Sequence, residues 1–139
     1  MANWFGAFLT HDAVSVSIGA ALGANARYWI GLWFKSFSWG EHFPWGTVFV
    51  NVSGSFFLAA FVVLLTEKFT PPQKSWLLLL GTGFCGSYTT FSTFGVETFN
   101  LLEAGRHWAA LGYVAISIVA GLAAVMVTYW TLRGGFLSR

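Results

Sequence analysis

Four apolar runs, separated by three short polar segments, set the pattern of this chain. The runs extend from about Ala13 to Phe34, Trp45 to Thr66, Ser75 to Glu103 and Trp108 to Leu132. A helix that crosses a bilayer needs roughly 20 mostly apolar residues, so each run has a suitable length. The segments between them carry the stops. Lys35 to Pro44 is polar and aromatic, Glu67 to Lys74 holds charges with Pro71 and Pro72, and Ala104 to His107 is a tight connection through Gly105 and Arg106. The pattern predicts an all-α membrane protein of four transmembrane helices, forming one domain over residues 1–139.

Met1 to Asp12 reads as a short leader with an interfacial turn through Trp4 and Phe5. Ala24-Asn25-Ala26 is the nearest approach to a signal-peptide cleavage site. No Lys or Arg precedes Asp12, however, so the first run is expected to be a retained helix. Gly19, Ala20, Ala21, Gly23, Ala24 and Ala26 give that run a small-residue face, which lets a second helix approach closely. Trp39, Phe43 and Trp45 suit the aromatic belt at a membrane surface.

The third run breaks its own pattern over Gly81 to Thr98, GTGFCGSYTTFSTFGVET. Gly81, Gly83, Gly86 and Gly95 fall within it, and Ser87, Tyr88, Thr89, Thr90, Ser92 and Thr93 form a hydroxyl series around Phe91. Glycine costs roughly 1 kcal/mol in a helix interior, and hydroxyls compete for their own backbone, so a helix break is expected at Gly86 to Thr89. In a bilayer such a break is tolerated where the freed backbone meets protein, water or an ion. Inward carbonyls there would be hard ligands for a small cation, the alternative being a kink that merely packs closely.

Composition narrows the class. The chain has 139 residues, 56% of them hydrophobic and 9% charged, with a mean hydropathy of +0.66; soluble domains carry about 25% charged residues. The net charge of +2 is spread along the chain, which argues against nucleic acid as a partner. The single cysteine, Cys85, has no intramolecular disulfide partner. If the spans alternate, Lys68, Lys74, Arg133 and Arg139 share a side, against Lys35 and Arg106 on the other. The bias marks the first side as cytoplasmic, but four against two is weak enough to permit both orientations. Four short helices have little room for a pore, so a homodimer, antiparallel if both orientations insert, is the expected unit.

Several side chains carry candidate chemistry. Phe91 and Phe94 lie three apart on one helical face, and their positive ring edges can attract an anion unless both simply face lipid or core. Ser92 and Thr93 offer hydrogen bonds along a polar track. Asn51, inside the second run, serves either an interhelical hydrogen bond or a ligand. Tyr113 and Ser117 are four apart and share a face. Arg27 and Glu97 are intramembrane charges and so functional candidates; Arg27 can also snorkel, and Glu97 can cap, pair or carry a proton. Enzyme parts are missing: His11, His42 and His107 lack ligand spacing, and there is no GxSxG, P-loop or CxxC.

Taken together these motifs resemble the Fluc (CrcB) fluoride channels. The third-run signature, with its GxxT break, TFSTF and following acid, is the most specific part. Gly23 to Tyr28 (GANARY) resembles the family's first-helix motif, Gly46 to Gly54 (GTVFVNVSG) its second, and Tyr113 with Ser117 its fourth-helix polar positions. Gly121 stands where the family can carry a further hydroxyl, and Ser87 and Tyr88 replace its commoner small and apolar residues.

The resemblance implies an antiparallel, dual-topology homodimer in the plasma or inner membrane, passively exporting cytoplasmic fluoride. It implies a structural Na+ at the dimer centre, held by the backbone carbonyls of Gly86 and Thr89. It also implies an anion pathway of Asn51, Phe91, Ser92, Thr93, Phe94, Tyr113 and Ser117, with Arg27 and Glu97 in supporting positions. A proton-coupled small multidrug exporter is the alternative of similar architecture, although that class places an acid in its first span.

Overall fold

The computed structural model describes residues 11–37 and 42–134. The expected interfacial turn through Trp4 and Phe5, the belt position Trp39 and the cytoplasmic charge Arg139 lie outside the described residues. Among those described, every regular element is helical. Helix α1 is His11–Lys35, and α2 is Trp45–Lys68, its final Val63–Lys68 widened into π-helical turns. Helix α3 covers residues 74–88, most of it the π-helical stretch Leu77–Cys85, α4 is Phe91–Glu103 and α5 is His107–Arg133.

The helical path stops in a different place from the expected one. Gly86, Ser87 and Tyr88 remain helical, and the extended residues are Thr89 (φ −81°, ψ 159°) and Thr90 (φ −151°, ψ 120°). Glycine is tolerated in the last helical turn before Thr89, whereas β-branched threonine accepts an extended backbone readily and its hydroxyl can start the next helix.

Two of the four expected spans are, taken singly, long and apolar enough to cross a bilayer: α2 and α5. Helix α1 has the length, with 25 residues, but Ser15, Ser17, Asn25 and Arg27 dilute it. The third run is divided between α3 and the 13-residue α4, neither of which reaches the roughly 20 residues a span requires.

Helix α1 packs chiefly on α3, and α2 on α5. Glycine makes the first contact possible. A Cβ on Gly19 would stand 2.0 Å from the Leu79 carbonyl oxygen, and one on Gly23 would stand 2.2 Å from that of Phe84. The small-residue face of α1 therefore rests directly on the backbone of α3. Between α4 and α5, Gly105 N–H bonds Leu102 O at 2.9 Å and Arg106 N–H bonds Leu101 O at 2.9 Å. This is the Schellman closure, with Gly105 in the left-handed region at φ 70°.

Charges gather at the two ends of the bundle. At one end, Lys74 pairs with Asp12 at 2.7 Å and Arg133 with Glu67. Lys35 and Arg106 lie at the other end. Between them the buried set is small, with Val48, Leu101, Ala110 and Tyr113 forming one cluster. Leu122, Val127 and Trp130 of α5 point outward, as do Trp29 and Trp33 of α1. Apolar surface on this scale is a liability in water and a solvent match in lipid.

Candidate functional site

The two extended residues are held by α2. Asn51 Nδ2 donates to Thr90 O at 3.0 Å, and Thr90 N–H donates to Asn51 Oδ1 at 2.8 Å. One amide thus satisfies both backbone groups of a nearly buried residue, as a neighbouring strand would. One turn along α2, Gly54 lets the chain pass. A Cβ there would stand 2.3 Å from Thr89 Cγ2 and 3.1 Å from Tyr88 Cδ1. Ser53 Oγ and Tyr88 OH add a third tie at 2.9 Å.

Thr90 also starts α4. Its hydroxyl accepts from Thr93 N–H at 3.1 Å, donates to Thr93 Oγ1 at 3.0 Å and lies 3.3 Å from Ser92 Oγ. This is the N-cap arrangement that Ser and Thr favour. On the other side, Thr89 N–H and Thr89 Oγ1 both donate to Cys85 O, at 3.1 and 3.0 Å. In a continuing helix Thr90 N–H would bond Gly86 O; its donation to Asn51 leaves that carbonyl without its i+4 donor. Gly86 is exposed, and nothing lies within 4 Å of where its Cβ would be. The backbone is accessible there, and carbonyl oxygen suits a small hard cation.

Thr90 lines two cavities. One, of about 520 Å³, is lined by Arg27, Lys35, His42, Thr90, Thr93, Glu97 and Arg106. Three full positive charges face one carboxylate there, so the cavity is electropositive. The other, of about 570 Å³, is lined by Asn51, Ser55, Thr90, Phe91, Phe94 and Ser117, together with Gly86 and Thr89. Ser117 lines it, and its Oγ is buried with no hydrogen-bond partner. A buried hydroxyl without a partner is costly, and Ser117 lines the same cavity as Phe91 and Phe94.

The structure distributes the expected site residues unevenly. Asn51, Phe91, Phe94 and Ser117 share the second cavity, while Arg27, Thr93 and Glu97 share the first. Ser92 and Tyr113 line neither. Tyr113 is fully buried behind Phe94, with ring centroids 5.0 Å apart, and its hydroxyl donates to Glu97 Oε2 at 2.7 Å. Phe91 and Phe94 have centroids 5.7 Å apart at 41°, and Phe91 is 84% exposed, so one ring is held by this chain and the other only at its base.

Sequence reasoning left out Thr90, Ser53, Gly54 and Ser55 as site residues. For Thr90 a signal existed: a threonine before FSTF, with a hydroxyl three residues on, is an N-cap pattern. For Gly54 none did, because its need follows from where Thr89 comes to lie.

Comparison with known proteins gives a consistent result. Residues 14–129 match the family model described as CrcB-like protein, Camphor Resistance (CrcB). A fluoride-specific ion channel FluC of Bordetella petrii is 47% identical over 112 residues, covering 79% of this chain and 82% of that protein. FluC of Nitrobacter winogradskyi is 41% identical over 120 residues, covering 86% and 94%. FluC of Leptospira interrogans is 36% identical over 118 residues, covering 85% and 91%.

Proposed function

The chain belongs to the CrcB family, and from that membership we propose that it is a fluoride-selective ion channel that lets cytoplasmic fluoride leave the cell passively. The observation that carries the reading is that Thr90 lines both an electropositive cavity and one lined by Phe91, Phe94 and Ser117, whose buried hydroxyl has no partner.

The chemistry follows from these parts. Hydrogen fluoride crosses a membrane as the neutral acid and ionises in a near-neutral cytoplasm, which traps the anion inside. A passive path allows it out under an inside-negative potential of roughly 2.3 kcal/mol per charge per 100 mV. Arg27, Lys35 and Arg106 raise the local anion concentration at one mouth. Past Thr90, water is replaced by donors and ring edges. Ser117 has a buried O–H with no other partner, and Asn51 uses one amide hydrogen on Thr90 and keeps the second. The edges of Phe91 and Phe94 attract an anion without a full positive charge, which lets it move on. A narrow path of this kind suits a small, hard anion and excludes chloride.

The working unit in this reading is an antiparallel homodimer, multi-pass in the plasma or inner membrane. The exposed row of Phe91, Val96, Phe99 and Leu102 on α4 supports a second copy, which would complete the surroundings of Phe91. A structural Na+ at the dimer centre fits the carbonyls of Gly86 and Thr89 with their counterparts in the second copy. Bound there, it would supply fixed positive charge and join the two breaks. The exporter alternative is not favoured, since α1 carries Arg27 and no acid between Ala13 and Phe34.

The test is fluoride and chloride efflux from liposomes holding the purified protein and its Phe94→Ile variant. Rapid fluoride efflux with negligible chloride, lost in the variant, is expected. Folded native protein that moves no fluoride would overturn the reading.

A further inference from the structure

The cavity lined by Phe91, Phe94 and Ser117 has a second serine in its lining. Ser55, on α2, lines the same space. Across from it α5 presents Gly121, where a Cβ would stand 3.7 Å from Ser55 Oγ, an ordinary van der Waals distance. Gly121 follows Ser117 by four residues, so the two lie one turn apart on the same face of α5. The bare stretch of α5 beyond Ser117 is therefore faced by a hydroxyl from α2. Ser55 Oγ now donates to Asn51 O at 2.7 Å, a bond to its own helix four residues back. That carbonyl is already a helical acceptor, so the Ser55 proton is held by a bond it can leave without stranding a buried group.

We propose that Ser55 is a specificity-determining donor in the anion path, turning its O–H from Asn51 O to the fluoride that has passed Ser117, at the point where Gly121 leaves α5 without a side chain. This deepens the channel reading and rests on it. The Ser55 hydroxyl serves two states. With no anion beside it, the proton rests on Asn51 O. With fluoride in the cavity, the charged acceptor is the stronger one. The exchange takes a proton donor from one acceptor to another and leaves no covalent change. It also places the ion between donors on two helices, with ring edges on a third.

The experiment compares fluoride and chloride efflux from liposomes for the native protein, Ser55→Ala, and Ser55→Ala with Gly121→Ser. The expected result is a fall of about tenfold in fluoride efflux for Ser55→Ala, the size that losing one hydrogen bond to an ion gives. Returning a hydroxyl from α5 in the double variant should restore most of the rate. Thermal unfolding of each variant reports whether the fold is intact, since Ser55→Ala removes only a bond within its own helix. Native fluoride efflux with an unaffected Ser55→Ala would overturn the role of Ser55 and leave the channel intact. A slowed Ser55→Ala that the Gly121 hydroxyl does not rescue would also overturn it, because the loss would then not be a missing donor at this point. No fluoride efflux from native protein would remove the channel reading and this inference together.

Discussion

Asn51 and Thr90 are joined by two hydrogen bonds, one in each direction, from a single amide to a single residue's backbone. The pair ties the start of α4 to the middle of α2 and holds the chain extended between two helices. Asn51→Ala would leave the N–H and C=O of Thr90 unpaired in a nearly buried place, at about 1–3 kcal/mol for each group. A clear fall in thermal stability and loss of fluoride efflux are expected together. Asn51→Asp keeps the acceptor for Thr90 N–H but loses the donor to Thr90 O and adds negative charge in the second cavity, so both stability and efflux should fall.

Ser117 should behave in the opposite way. Its hydroxyl is buried and unpartnered within the protein, so Ser117→Ala removes a polar group that the fold does not use. Stability should be unchanged or higher by about 1 kcal/mol, while fluoride efflux drops. Loss of both stability and efflux would show that the hydroxyl is a structural partner instead.

Gly54→Ala tests the close passage of α2 over the extended residues. The added Cβ would meet Thr89 Cγ2 at 2.3 Å, which some shift of backbone or side chain must relieve. A loss of roughly 1–3 kcal/mol in unfolding free energy is expected for overpacking of this kind. Gly95→Ala is the contrast, because nothing lies within 4 Å of that position and its effect should be small or stabilising.

Tyr113→Phe keeps the ring behind Phe94 and removes the O–H that Glu97 accepts. The Glu97 carboxylate then loses the Tyr113 hydroxyl as a donor while still lining the electropositive cavity. Slower fluoride efflux with near-native ring packing is expected, read by efflux alongside near-ultraviolet circular dichroism. Glu97→Gln in the same background removes the carboxylate charge from the anion's approach and should recover part of the rate.

Arg27→Ala should lower fluoride efflux most at low ionic strength. The charges around the first cavity act over about 10 Å at 0.1 M salt and less above it, so native and variant rates should converge as salt rises. Rates that differ by a constant factor at all salt concentrations would count against a steering role.

Much of this protein was legible from its residues alone. The apolar runs fixed where helices form, because 3.6-residue periodicity is not needed to recognise a helix that is apolar on most sides and ended by Pro71, Pro72 or Gly105. Gly19 and Gly23 announced a close helix contact, and the hydroxyl series around Phe91 announced a site. These are local properties, carried by neighbours in sequence. Position in space was not. That the extended residues are Thr89 and Thr90 rather than Gly86 to Thr89 depends on Asn51, which lies 39 residues before Thr90 and whose amide outbids the helix for the Thr90 N–H. That Tyr113 stands behind Phe94 rather than in either cavity, and that Ser55 faces Gly121, depends on how α2, α4 and α5 rotate about their axes as they pack. A sequence gives each helix its length and its faces; only the packed bundle decides which faces meet, because burial is collective and every helix settles against all its neighbours at once.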